Sequence, residues 1–178
     1  MTRSRIVSIY FLFFVFTLAA CSKSAKNPAS ESASRNFPES TKIASAEVVK
    51  AAPQPVEIAA GSSAEATVRL TIQSGYHINA NPPTYSYLKA TELEIPANEG
   101  ISVGFITYPN AISKKFSFAE KPLAVYEGET ALKVLLKADK SAKKGERSLS
   151  AKLRIQACDD RVCYPPGTLD LAIPASVK

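Results

Sequence analysis

The apolar residues of this chain recur with a period of two, and that pattern limits the fold more than any other feature. Between residues 66 and 72, Val68, Leu70 and Ile72 alternate with Thr67, Arg69 and Thr71; between 149 and 155, Leu153 and Ile155 stand opposite Lys152 and Arg154. Such alternation sends one face of a strand into a core and the other into water. Further strands are expected at 47–51, 55–59, 90–95, 101–108, 130–138 and 168–173. They are punctuated by Gly75, Pro82-Pro83, Pro96, Pro109, Gly128, Gly145 and Pro165-Pro166. No segment carries a helical period of useful length. About eight short strands with turn signals roughly every eight to twelve residues predict an all-β fold, an antiparallel β-sandwich of immunoglobulin-like type. A closed barrel is the other architecture this pattern allows. The domain lacks tryptophan and the distant cysteine pair of an antibody domain, so the expectation concerns architecture alone.

The first residues have a different character. Arg3 and Arg5 form a basic start, residues 6–17 an apolar run rich in phenylalanine, and Leu18-Ala19-Ala20-Cys21 a small-residue cleavage site ending in cysteine. About 15 apolar residues fall short of the roughly 20 needed to span a bilayer. Residues 1–20 therefore read as a lipoprotein signal peptide, similar to the bacterial lipobox. Cys21 is expected to carry the lipid chains that hold the mature protein to a membrane, several chains being enough for stable anchoring. Ser22 in the next position points toward the outer membrane. Residues 21–45 are rich in Ser, Ala, Lys, Asn and Glu, with few large apolar side chains, and read as a flexible tether. Residues 46–178 are the right length for one domain with one core.

Export sets the redox context. Two thiols outside the cytoplasm can form a bond that persists. Removal of residues 1–20 takes away two arginines and no acid, so the net charge falls from +6 to +4. The remaining basic pairs, Lys114-Lys115 and Lys143-Lys144, have no interleaved aromatics of the kind a nucleic-acid groove requires, so no nucleic-acid partner is expected.

Cys158 and Cys163 are the only cysteines after Cys21, and they flank Asp159-Asp160-Arg161-Val162. A strand running into Cys158 and returning from Cys163 places the pair across a four-residue hairpin loop. At a non-hydrogen-bonded site the opposed β-carbons are about 4.5–5.5 Å apart, wider than the roughly 3.8 Å of a relaxed disulfide, so a strained bridge is expected. Strained or exposed bridges are the ones that exchange. As a brace, the short ring is inefficient, constraining the unfolded chain by about 2 kcal/mol against about 4–5 for a hundred-residue loop. From spacing alone, a structural bridge and an exchanging one stand as equal readings. A metal site is disfavoured, because His77 is the only histidine and is read as lying in a separate loop. No cofactor is called for, and no histidine base is expected near the cysteines. His77, Asn79 and Asn81 read as loop-stabilising residues.

Gln156-Ala157-Cys158 through Cys163-Tyr164-Pro165-Pro166 resembles the active-site hairpin of the amino-terminal periplasmic domain of the thiol:disulfide interchange protein DsbD. Supporting matches are Gly75-Tyr76-His77-Ile78-Asn79-Ala80-Asn81-Pro82-Pro83, Tyr108-Pro109 and Leu123-Ala124-Val125-Tyr126-Glu127-Gly128-Glu129, in the family's order. The resemblance implies an immunoglobulin-like domain that takes electrons from a thioredoxin-like donor and passes them to oxidised exported proteins. Cys163 would then form the mixed disulfide and Cys158 resolve it. The family shields the pair with an aromatic cap loop, matched best by residues 114–118, with Phe118 the preferred cap residue and Phe116 the alternative. Apart from the resemblance, Tyr164 has two readings, a ring packed over the sulfurs or an ordinary core residue of its strand. Two departures stand out: lysines precede the cap aromatic where the best-known member has acidic residues, and the cysteine spacing is one residue shorter.

The resemblance favours a lipid-anchored redox module on the periplasmic side of the envelope, its partners being thioredoxin-fold redox proteins or a membrane electron transporter. No transmembrane helices and no Cys-x-x-Cys thioredoxin domain follow in this sequence, so the donor is expected to be another polypeptide. The alternatives are a non-enzymatic binding lipoprotein with a static bridge, and an assembly partner of an envelope complex. Hydrolytic and transferase chemistry lacks a triad, a phosphate-binding glycine loop or a carboxylate dyad.

Overall fold

The computed structural model describes residues 43–98 and 100–178. The expected signal peptide, Cys21 and nearly all of the expected tether lie outside the described residues. A 3-10 turn, Ser45–Val48, leads into twelve strands: β1 (Val49–Pro53), β2 (Val56–Ile58), β3 (Ser63–Ile72), β4 (His77–Asn79), β5 (Glu92–Glu94), β6 (Ile101–Thr107), β7 (Ile112–Lys114), β8 (Leu123–Tyr126), β9 (Glu129–Ala138), β10 (Gly145–Ile155), β11 (Ala157–Cys158) and β12 (Gly167–Val177). The tether's expected end falls inside the folded part, because Ser45 is fully buried. No described helix is long and apolar enough to cross a membrane.

Two four-stranded sheets, ordered β1-β3-β9-β6 and β2-β12-β10-β5, form the sandwich. Every pairing is antiparallel except β2 with β12. The alternation seen in the sequence is the alternation of burial. Val68, Leu70 and Ile72 of β3 are buried, as are Leu132, Val134 and Leu136 of β9, Leu149, Leu153 and Ile155 of β10, and Ile173 and Val177 of β12. These side chains belong to one continuous core. At about 1.5–3 kcal/mol for each large aliphatic side chain fully buried, this core drives the fold.

A third sheet, β11-β4-β8-β7, carries the cysteine hairpin. Its strands are two to four residues long. One cross-strand row, Ala157, Ile78 and Tyr126, faces the main core. Successive strand residues point to opposite faces, so the flanking rows turn the other way. There Phe116, Leu123 and Val125 make a second, smaller core under Tyr85, Leu88 and Ala119.

Candidate redox site

Cys158 ends β11 and pairs across the bend with Cys163. The Asp159 N–H donates to the Val162 carbonyl at 3.0 Å and the Tyr164 N–H to the Ala157 carbonyl at 2.8 Å. These bonds flank the cysteines, which therefore occupy a non-hydrogen-bonded site, where opposed residues come closest. They are joined in a disulfide with Cα atoms 3.9 Å apart, inside the usual lower bound of about 4.4 Å.

The loop is held by its own first residue. Asp159 Oδ1 accepts from the amides of Arg161 at 2.7 Å and Val162 at 2.8 Å, an Asx turn. Its Oδ2 accepts from the Tyr164 hydroxyl at 2.6 Å. Burial opposes ionisation of Asp159, but the hydrogen bonds from Tyr164 and the two loop amides outweigh it and hold the carboxyl below its usual range. The same bond to Asp159, with burial, pushes the Tyr164 hydroxyl up to about 12.

The hairpin is also pinned from outside. Gln156 Oε1 accepts from Lys89 N–H at 2.8 Å and from Asn79 Nδ2 at 3.1 Å, while its Nε2 donates to the Tyr164 carbonyl at 3.1 Å. Ser45 donates through its hydroxyl to the Pro165 carbonyl at 2.6 Å and accepts from the Ala157 N–H at 2.9 Å. Pro165 and Pro166 have no N–H, so the ladder ends just past Cys163.

The two sulfurs differ in access. Cys158 is 0% exposed, whereas Cys163 is half-buried and lines a cleft of about 250 Å³ with Tyr87, Leu88, Phe118, Ala119, Leu123, Arg161 and Val162. Phe118 is 41% exposed at this cleft, and Tyr87, 72% exposed, stacks on Tyr85 with ring centroids 5.1 Å apart. Phe116, only 2% exposed, is core, its ring 5.2 Å from that of Phe118. Ser117 ties the loop between them to the hairpin, donating to the Asp160 carbonyl at 3.2 Å. Tyr164 lies beside Tyr76, ring centroids 6.1 Å apart.

Residues 45–174 match the family described as "Thiol:disulfide interchange protein DsbD, N-terminal". The chain belongs to this family. Among solved structures, the reduced DsbD n-terminal domain of Neisseria meningitidis is similar at 19% identity and a TM-score of 0.42, over 66% of this chain and 82% of that one. The N-terminal periplasmic domain of ScsB from Proteus mirabilis is similar at 18% identity and a TM-score of 0.46, over 69% of this chain and 44% of that one. No curated protein matches the chain. As a DsbD amino-terminal domain, the molecule is a thiol:disulfide interchange module, and the immunoglobulin-like β architecture expected from its alternation is the one observed.

One expectation is overturned. His77 is not in a separate loop: it begins β4 and is the direct cross-strand partner of Cys158. It is 3% exposed. The ring Nε2 is 3.0 Å from Glu127 Oε2 and 2.5 Å from Lys114 Nζ, and the ring meets Phe116 edge-on with centroids 5.2 Å apart. The hydrogen bond from the Lys114 ammonium is the main cause that holds Glu127 below the usual carboxylate range, burial opposing it and the charges of Lys114 and His77 assisting. Asn79 and Asn81 bind the following loop instead, donating to the carbonyls of Lys89 at 3.1 Å and Thr91 at 3.0 Å. Three residues escaped sequence reasoning: Ser45, the bracing role of Gln156, and the position of His77. Only for His77 was there a signal, as the one histidine of a chain read as doing thiol chemistry.

Proposed function

We propose that this DsbD-family domain carries electron pairs between a thioredoxin-like dithiol donor and oxidised exported proteins through Cys158 and Cys163. The reading is supported above all by the unequal access of the two sulfurs. Only the cleft-side sulfur can be reached by an in-line thiolate, so Cys163 takes the mixed disulfide and Cys158 resolves it. A donor thiolate attacks Cys163 Sγ, the new S–S bond forms as the Cys163–Cys158 bond breaks, and Cys158 leaves as a thiolate. The donor's second thiolate then attacks its own sulfur in the mixed disulfide and expels Cys163. Two electrons have entered the domain, and the donor holds a disulfide. Delivery runs the other way: the Cys163 thiolate attacks a client disulfide, and Cys158 closes on Cys163 to release the reduced client.

The cleft-side apolar groups, Tyr87, Phe118 and Val162, suit both docking and shielding. Phe118 is the cap ring in this reading, and Phe116 its fixed support. The domain works on the periplasmic side of the envelope, held to the membrane by lipid on Cys21, with thioredoxin-fold proteins or a membrane electron transporter as donors.

A redox titration tests the exchange. The expected potential lies between about −120 and −270 mV, and a bridge that resists reduction below about −300 mV marks a static staple. Trapping in cells tests the roles: Cys158→Ala should accumulate mixed disulfides on Cys163, and better trapping by Cys163→Ala would reverse the assignment.

A further inference from the structure

A thiol, an imidazole and a carboxylate lie side by side on the third sheet. Cys158 pairs with His77 between β11 and β4. Continuing the β4–β8 register by one residue beyond Ile78 and Tyr126 places Glu127 on the other side of His77, where the two side chains meet at 3.0 Å. Paired residues share a sheet face. The neighbouring Asn79 N–H donates to the Gln156 carbonyl at 3.1 Å, so the His77–Cys158 pair is also of the hydrogen-bonded kind, with Cα atoms about 5.5 Å apart.

The two nitrogens of the ring have unequal surroundings. Nε2 sits between an ammonium that donates to it and a carboxylate that accepts from it, so either tautomer is served there. Nδ1 is buried and has no hydrogen-bond partner among the described residues. An orphaned buried polar atom costs about 1–3 kcal/mol. A disulfide sulfur has no proton to offer and accepts poorly, whereas a thiol or thiolate at Cys158 can do both. The oxidised site thus holds a buried imidazole nitrogen that reduction would supply with a partner.

We propose that His77 exchanges a proton with Cys158 during thiol–disulfide exchange, with Glu127 and Lys114 setting the ring. This rests on the exchange reading above. When a donor opens the bridge, Cys158 is released as a thiolate in a place without solvent, and the imidazolium of His77 gives it a proton through Nδ1. When a client is resolved, neutral His77 takes that proton back, and the thiolate attacks Cys163 Sγ and expels the client sulfur. The other ring N–H, on Nε2, stays with Glu127 Oε2 while the one proton passes between Nδ1 and Cys158 and back, and the ring lies at a cleft of about 420 Å³ lined by Tyr76, Lys114, Glu127 and Asp160. The charged groups facing His77 are Lys114 from β7, Glu127 from the end of β8 and Asp160 from the hairpin. Asp159 is engaged by Tyr164, and Tyr126 lies in the core-facing row with its hydroxyl bound by the Asn81 N–H.

The test uses the reduced protein, with oxidised glutathione as the disulfide. A first phase forms the Cys163 mixed disulfide and a second releases glutathione as Cys158 closes. His77→Gln should slow the second phase at least about tenfold near pH 7, leave the first unchanged, and lose the difference at alkaline pH, where the thiol is already ionised and needs no base. In a Cys163→Ala background, the thiolate absorbance of Cys158 should titrate at a different midpoint with His77→Gln. Glu127→Gln, at a half-exposed position, should shift both readouts in the same direction by less. Unchanged second-phase profiles and unchanged thiolate titrations in both variants overturn the proposal. If the wild-type protein fails to react with glutathione or dithiothreitol at all, the exchange reading fails first, and that failure is distinct.

Discussion

Removing the Ser45 hydroxyl should loosen the cysteine hairpin from a distance of more than a hundred residues in sequence. The hydroxyl bridges both arms, donating to the Pro165 carbonyl and accepting from the Ala157 N–H, and the whole residue is buried. Its partners are not equivalent. Ala157 is itself fully buried, so in Ser45→Ala its amide loses its acceptor with no water to replace it, at about 1–3 kcal/mol. Pro165 is exposed, so its carbonyl is rehydrated and only the net value of one hydrogen bond is lost, about 0.5–1.5 kcal/mol. Alanine escapes the desolvation that the serine hydroxyl suffered, which offsets part of the sum. We expect a net loss of about 2 kcal/mol. For a folded part of this size, between the two classes for which the slope is known, that is about 6–10 °C in Tm.

Urea unfolding of the oxidised protein measures this loss directly, and an unchanged m-value shows that the unfolded reference is the same. Amide exchange locates it: protection at Ala157 should fall while β9 and β12 keep theirs. A loss below about 0.5 kcal/mol, or unchanged protection at Ala157, would refute the argument that the first folded turn braces the redox hairpin.

Tyr164→Phe should cost about 1 kcal/mol at pH 7, the charge-assisted bond to Asp159 being partly exposed. Asp159 is depressed on folding, so its contribution is present above about pH 4 and lost as pH falls through its folded value. Tyr164 is raised to about 12, so its part is fully present below about pH 10 and lost as pH rises from there through about 12; urea midpoints for mutant and wild type should converge at both extremes. Phe116→Ala and Phe118→Ala should separate packing from shielding. The first empties a buried site and costs about 3–5 kcal/mol, whereas the second costs under about 1 kcal/mol and speeds reduction of the bridge by dithiothreitol severalfold, read by stopped-flow under matched conditions.

The parts of the molecule that could be read from sequence are those where local pattern and environment agree. β3, β9, β10 and β12 are ten or eleven residues long, and over much of that length one side packs in the core, so alternation announces them. The third sheet escaped because it has no such pattern: all three residues of β4 are buried, as are three of the four in β8. Its strands are two to four residues long, too short for a period to show. The cysteine pair was legible because a hairpin is local. His77 was not, because its pairing with Cys158 closes a gap of 81 residues and leaves no spacing to recognise. Ser45 was hidden by company, one serine at the end of a serine-rich stretch that reads as tether. For Phe116 and Phe118, spacing gives no ranking; the turn between them does, burying the first and leaving the second at the cleft.

The short third sheet also explains how the bridge can sit at a surface without inviting unwanted pairing. β11 is the edge of that sheet, and an exposed edge beside apolar groups such as Val162 and Phe118 is a site for strand addition. Here the edge has little left to offer. The Tyr164 N–H is spent on Ala157, the next two residues have no N–H, and the Pro165 carbonyl is taken by Ser45. A visiting chain therefore cannot extend the ladder past Cys163. Ala157 faces the core and Cys158 faces His77 because strand residues alternate, so one strand of two residues both anchors the hairpin and positions its buried sulfur. Lengthening β11 by a residue would turn that sulfur to the other face, which is why the two-residue strand and the Gln156 break before it fix where the buried sulfur lies.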